Sequence, residues 1–279
     1  YGIWYVREIE QPTGFVLNDT VYEVNISEHK QVVDVEIVNE HIRGNITLTK
    51  VDADYPDNKL TGAVFEVYKD TNDNGKIDKS DELIGNLKET STGFYELNDL
   101  FYGKYLVRET KAPDGFLLDE GVYPVFIETN EATYSVENKA GVGFINNAMK
   151  GKLKIVKTSS DKKVEGFAFR VTGPDGYDMT FETDKNGIIE INGLRIGEYK
   201  VSEVANKTSA VYVLPDDKTA TVENDSTTTV EMHNILRDTP KTGDDSNMNL
   251  WYILAALSAL GIGVTGIVLL KKKKKEDKN

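Results

Sequence analysis

The chain has 279 residues, 39% hydrophobic and 28% charged, which is enough apolar material for two ordinary domains or one large one folded around a core. It has no cysteine, so disulfides, thiolate metal sites and a cysteine nucleophile are excluded, and its three histidines (His29, His41, His233) show no metal-ligand spacing. A net charge of −13 and a pI near 4.8 argue against nucleic acid as a partner, because phosphate binding needs clustered lysine and arginine.

The sequence opens on Tyr1 rather than methionine and is expected to be the C-terminal part of something longer. Nearly all of it reads as strand. Stretches such as AVFEVYK (63–69), KYLVRET (104–110), YPVFIET (123–129) and TTTVEMH (227–233) alternate and are rich in β-branched and aromatic residues. Turn signals separate them: Asn74-Gly75, Pro113-Asp114-Gly115, Gly173-Pro174-Asp175-Gly176 and Asn186-Gly187. Short strands at this spacing predict an all-β fold of tandem antiparallel sandwiches.

Internal repeats divide the chain. GIWYVREIEQPTGF (2–15), GKYLVRETKAPDGF (103–116) and GEYKVSEVANK (197–207) align around Glu8, Glu109 and Glu203. VEIVNEHI (35–42), VGFINNAM (142–149) and VEMHNILR (230–237) align around Asn39, Asn146 and Asn234, while GNITLTKVD (44–52) and GKLKIVKTS (151–159) align around Lys50 and Lys157. The order Glu, Asn, then Lys, Glu, Asn twice predicts a partial sandwich over 1–43, whose lysine lies upstream, followed by complete ones over 44–150 and 151–237. The joints HIRG (41–44) and AMKG (148–151) contain no flexible linker, so a stiff series of domains is expected.

Alternate residues of a strand share a face. Ile46 and Leu48 lead to Lys50, Tyr105 and Val107 to Glu109, and Phe144 to Asn146; Leu153 and Ile155 lead to Lys157, Tyr199 and Val201 to Glu203, and Met232 to Asn234. Each polar group ends an apolar stripe and is expected to point inward, where an unpaired charge costs several kcal/mol. Asn147 has the opposite parity and should point outward. Two arrangements balance the cost. One is a buried Lys–Glu ion pair hydrogen-bonded to asparagine. The other is an isopeptide bond, in which burial shifts the pair toward NH2 and COOH, the amine attacks the asparagine side chain, and the acid assists the departure of ammonia. The covalent reading leaves no buried charge.

The tract YLVRETKAPDGF (105–116) resembles the E-box of Gram-positive pilins and of collagen-adhesin B-type, prealbumin-like repeats, and the whole of 1–237 is similar to a tandem of such domains. The resemblance implies cross-linking lysines at Lys50 and Lys157, assisting acids at Glu109 and Glu203, and acceptor amides at Asn146 and Asn234. Glu8 and Asn39 match in the partial domain. After Glu203 the sequence VANKTSA departs from the E-box.

A loop over 70–81 places Asp70, Asn72, Asn74, Asp78 and Asp81 at the oxygen-ligand positions of a calcium loop, with Gly75 at the sharp turn and Lys76 offering its carbonyl, so Ca²⁺ is a candidate ligand. A polar hairpin loop would have the same composition. No other cofactor is expected.

Residues 238–279 have the order of a sorting signal. TPKTG (239–243) is followed by 21 uncharged positions (250–270), long enough as a helix to cross a hydrocarbon core of about 30 Å, with Trp251 and Tyr252 at its leading edge and a basic tail over 271–279. This tract resembles the sorting signals of sortase substrates, with threonine where the commonest motif has leucine. The resemblance implies cutting between Thr242 and Gly243, transfer of the threonine carboxyl to peptidoglycan, and a membrane stage only before sorting. The retained residues 1–242 then carry a charge of −15.

The expected function is that of a wall-anchored adhesin or its stalk on a Gram-positive cell, with its surface ligand unspecified. A sortase-polymerised pilin subunit is the alternative, although Val122-Tyr123-Pro124 is followed by valine where polymerising pilins carry lysine. A wall tether for an upstream secreted enzyme is the second alternative. No Ser/His/Asp set, phosphate loop or catalytic carboxylate pair within these residues supports turnover.

Overall fold

A computed structural model describes residues 1–237. The expected membrane helix over 250–270, TPKTG and the basic tail lie outside the described residues, among which no helix is long and apolar enough to cross a membrane. The chain divides between Ala148 and Met149 into two compact units.

The first unit contains β1 (Gly2–Val6), β2 (Tyr22–Ile26), β3 (Arg43–Asp52), β4 (Val64–Lys69), β5 (Glu82–Asn86), β6 (Lys88–Ser91), β7 (Phe94–Phe101), β8 (Gly103–Lys111), β9 (Val122–Ile127), β10 (Ala132–Ser135) and β11 (Phe144–Asn146). Strands β10-β3-β7-β6, with β11 also on β3, form one sheet, and β5-β4-β8-β9 form the other. Their inner faces meet in a core that includes Ile46, Leu48, Phe65, Val67, Tyr95, Tyr105, Val107, Ile127 and Phe144. Each such side chain contributes roughly 1.5–3 kcal/mol of burial. Strands β1 and β2 pair with each other and are the sequence counterparts of β8 and β9.

The second unit contains β12 (Lys150–Ser159), β13 (Ala168–Thr172), β14 (Asp178–Glu182), β15 (Ile188–Arg195), β16 (Gly197–Val204), β17 (Tyr212–Val213), β18 (Lys218–Val222) and β19 (Thr227–Leu236). The sheet β15-β12-β19-β17 faces the sheet β14-β13-β16-β18 across Leu153, Ile155, Phe167, Phe169, Val201 and Met232. Alternation is clear in β12, where Gly151, Leu153, Ile155, Lys157 and Ser159 are buried between more exposed neighbours. Tyr105 and Tyr199 hold corresponding corners, their hydroxyls donating to the carbonyls of Phe101 (2.8 Å) and Arg195 (2.9 Å).

Most strand pairs are antiparallel, as alternation and short turns predict. The exceptions matter for the site: β10 and β11 run parallel to β3, and β19 runs parallel to β12. The last strand of each sandwich returns beside the first, a pairing direction that alternation does not specify. In the first unit this return needs a close approach. Gly143 has φ +125°, and a Cβ there would sit 2.7 Å from the carbonyl oxygen of Thr49, next to Lys50.

Candidate functional site

The register of the parallel pairs sets lysine and asparagine on neighbouring strands with their side chains on the same face. Lys50 lies opposite Phe144 and Asp52 opposite Asn146; Lys157 lies opposite Met232 and Ser159 opposite Asn234. In both units the asparagine is thus displaced by the same two residues from the lysine's register partner. Two residues is one repeat of the pleat, so both side chains emerge on the core face. The glutamate comes from the opposite sheet, from β8 in the first unit and β16 in the second.

In the first unit Lys50, Glu109 and Asn146 are buried, with the lysine fully so. The Asn146 amide donates to Glu109 Oε2 at 2.8 Å, and the backbone N–H of Asp119 donates to the same oxygen at 2.9 Å. Lys50 Nζ donates to the Phe144 carbonyl at 3.1 Å, stands 3.8 Å from Glu109 Oε1, and lies 5.1 Å from the centre of the Phe144 ring. In the second unit the Asn234 amide donates to Glu203 Oε1 at 2.6 Å. Lys157 donates to the Thr158 carbonyl, with its Nζ 4.2 Å from the centre of the Phe167 ring. Glu109 Oε1, Asn146 Oδ1, Glu203 Oε2 and Asn234 Oδ1 are buried without a hydrogen-bond partner. Such orphaned acceptors are rare in folded proteins and costly.

Burial also sets the titration. Desolvation lowers Lys50 to about 8, against the opposing charges of Glu109, Asp119 and Asp52. It raises Glu109 despite hydrogen bonds from Asp119 and Asn146 and the nearby charge of Lys50. Lys157 is lowered and Glu203 raised, again chiefly by burial. All four shifts favour the neutral forms. Asn147, the neighbouring amide, is exposed, as its parity predicts.

The partial repeat contains the same half of the arrangement. The Asn39 amide donates to Glu8 Oε2 at 2.6 Å and the Asn18 backbone N–H donates to the same oxygen at 2.8 Å, with both side chains half-buried. The turn after the glutamate is repeated as well. Phe15 N–H donates to Pro12 and Phe116 N–H to Pro113, both at 3.1 Å, and Gly14 and Gly115 share φ +84°. Sequence reasoning missed the backbone donors of Asn18 and Asp119, each ten residues after its glutamate. The constant spacing was the available signal.

The 70–81 loop folds on itself. Asp70 accepts from the backbone of Asn74 (3.2 Å) and Gly75 (3.0 Å), while the Asn72 and Asn74 amides donate to Asp78 Oδ2 at 3.1 and 2.7 Å. Asp81 accepts from the backbone N–H groups of Thr71 (3.1 Å) and Asp78 (2.8 Å), and Asn74 Oδ1 from that of Lys76 (2.7 Å). Among the described residues no three Asp, Glu or His side chains converge to hold a metal ion. Thr242 and Gly243 lie outside the described residues.

Residues 44–140 and 151–236 match the SpaA family, a prealbumin-like fold domain, and residues 240–278 match the LPXTG cell wall anchor motif. Among solved structures, the Bacillus anthracis TIE protein is 24% identical with a TM-score of 0.66, over 84% of this chain and 41% of that one. The chain thus spans about two-fifths of that protein, and the likeness supports the sandwich fold. The minor pilin of Streptococcus agalactiae is 17% identical over 72% of this chain and 99% of its own, with a TM-score of 0.33. The shaft pilin of Lactobacillus rhamnosus GG is 15% identical over 71% and 99%, with a TM-score of 0.31. No curated protein matches the chain. With two prealbumin-like domains filling most of its length and an LPXTG cell wall anchor motif behind them, the chain belongs to the SpaA family and is a cell-wall-anchored protein of a Gram-positive surface.

Proposed function

We propose that this chain is a surface adhesin or stalk whose two complete sandwiches, residues 44–150 and 151–237, each close an amide bond across the core, Lys50 to Asn146 and Lys157 to Asn234. Glu109 and Glu203 are the assisting acids. The observation that carries the reading is the recurrence, in two separate cores, of a buried lysine, a glutamate holding the asparagine amide, and two orphaned oxygens.

Each group has a definite task. Apolar surroundings favour a neutral Lys50 amine, whose lone pair attacks Asn146 Cγ. The glutamic acid proton polarises Asn146 Oδ1, which relieves both orphaned oxygens at once. As the new C–N bond forms, the Cγ–Nδ2 bond breaks. One amine proton passes through the Glu109 carboxyl to Nδ2, ammonia leaves, and the acid is regenerated. Folding has already brought the reacting groups together, a contribution of about 7–11 kcal/mol in well-oriented intramolecular reactions. The step needs no cofactor and no calcium. It occurs once per domain, so the protein is its own single-turnover catalyst.

A retained ion pair would keep two charges desolvated, with Lys50 bonded to a carbonyl instead of the acid. Intact mass spectrometry decides between them. The covalent reading expects the protein to be lighter than its sequence by two molecules of ammonia, and an unshifted mass sinks it. The same reading extends to Glu8 and Asn39 with a lysine outside these residues. A polymerised pilin is the alternative: Val125 follows Tyr123-Pro124, so the lysine that polymerisation needs would have to lie upstream. Ladders of high mass in wall extracts count for the pilin instead.

A further inference from the structure

The acceptor asparagines are held in different ways in the two complete domains. In the second unit β19 has eight residues in register with β12 and also pairs with β17 through Tyr212–Leu236 and Val213–Ile235. In the first unit β11 has three residues in register with β3, with two further backbone bonds, Ala53 N–H to the Asn146 carbonyl at 3.0 Å and Leu117 N–H to the Asn147 carbonyl at 2.8 Å. Three pairs are a weak hold for an amide that must meet an amine within a few tenths of an ångström.

Side chains supply what the short ladder lacks. The Asn138 carboxamide brackets Ile145, the residue before Asn146: its Oδ1 accepts from the Ile145 N–H at 2.6 Å and its Nδ2 donates to the Ile145 carbonyl at 2.8 Å. The same Nδ2 donates to Asp119 Oδ2 at 2.8 Å. Asp119 Oδ1 accepts from the Tyr123 hydroxyl at 2.9 Å and the Gly121 N–H at 2.7 Å, and its own N–H donates to Glu109. The Tyr123 ring packs edge-on against Phe144, at 5.0 Å between ring centres. One continuous network therefore joins the assisting acid to both sides of the acceptor strand.

The partial repeat contains a second version of this link. Asn18 is ten residues after Glu8, as Asp119 is after Glu109, and Tyr22 is fourteen after, as Tyr123 is. Asn18 Nδ2 donates to the Val38 carbonyl at 2.9 Å and to the Tyr22 hydroxyl at 3.3 Å, and Val38 precedes Asn39 as Ile145 precedes Asn146. Asn18 Oδ1 accepts from Thr20 two residues on, as Asp119 Oδ1 does from Gly121. The same tether from acid loop to acceptor strand is made directly in one repeat and through Asn138 in the other.

We propose that Asp119 and Asn138 are positioning residues for the Lys50–Asn146 ligation, holding the acceptor asparagine at the amine by clamping β11 to the loop that carries the Glu109 backbone donor. The inference rests on the isopeptide reading. It predicts that Asn138→Asp, which sets two carboxylates face to face and removes the amide donor, slows ammonia loss at Lys50–Asn146 by ~10²-fold. The link at Lys157–Asn234 in the same molecule should be unaffected. Asp119→Asn combined with Asn138→Asp restores the donor–acceptor pair between the two residues but leaves a carboxylate facing the Ile145 carbonyl, so it should recover only part of the rate.

The test is peptide-resolved mass spectrometry of the full chain, following the two links separately over time. If the unaltered protein shows no ammonia loss at Lys50–Asn146, the isopeptide reading itself is wrong. If that protein links but Asn138→Asp links equally fast, the positioning role is overturned. Folding is checked without the bond by comparing Glu109→Ala with Glu109→Ala/Asn138→Asp. Loss of the folded first unit at the assay temperature in the latter alone makes Asn138 a structural residue and also overturns the proposal.

Discussion

Lys50 has little freedom before reaction. Its ammonium form is buried against the Phe144 ring and carbonyl, and its ordinary value falls to about 8 through desolvation. The sign of the pH effect follows for a variant that keeps the lysine but cannot react, such as Asn146→Ala. Below about 8 Lys50 is charged in folded and unfolded chains alike, so the burial cost is fully present. Between about 8 and 10.5 the unfolded chain holds more proton, so stability rises with pH, by at most about 3 kcal/mol. Glu109, raised by burial, acts oppositely at acid pH, and stability falls as pH climbs from 4.5 toward its raised value. Denaturant titrations of Asn146→Ala from pH 7 to 10 should show the upward slope. In the linked protein Lys50 no longer titrates, so that slope should disappear.

Among the elements, β3 and β11 are the first and last strands of their sandwich, and the proposed bond joins them with the intervening hairpins enclosed. A cross-link that closes a loop of some 95 residues removes about 4–5 kcal/mol of chain entropy from the unfolded state, by the reasoning used for disulfides. Glu109→Ala prevents the bond while leaving the strands and most of the core intact. Its first unit should melt about 20 °C lower or more, measured by calorimetry, with one ammonia fewer lost. An unchanged melting temperature alongside a restored mass would mean that the bond, absent from the variant, contributes nothing to the stability of the unaltered protein. Glu203→Ala should act in the same way on the second unit alone.

For the whole molecule, the anchor and the sandwiches complement each other. An LPXTG anchor implies sortase processing and attachment to peptidoglycan. Residues 1–242 carry a charge of −15, which favours solvation. On the proposed sorting reading, Thr242→Ala removes the residue whose carboxyl is transferred. The altered protein should remain with the membrane fraction, whereas the unaltered one should require wall digestion for release. Release of the two forms by the same treatment would rule out Thr242 as the joined residue.

Much of this was legible in order alone. Period-two alternation around Lys50, Glu109 and Asn146, and again around Lys157, Glu203 and Asn234, predicts strands with inward polar ends, because a pleated backbone sends alternate side chains to one face. The anchor needs no fold at all: the order of TPKTG, apolar span and basic tail carries its resemblance to a sorting signal. Alternation is blind, however, to which strand lies beside which and in what direction. That β11 and β19 return parallel to β3 and β12, offset so that asparagine and lysine share the core face, is set by packing between sheets. So are the orphaned oxygens and the Asp119–Asn138 tether, which join residues distant in the chain. Local periodicity fixes the face of each side chain; only the closing of the core, where buried charge and unmet hydrogen bonds must be balanced together, fixes its partners.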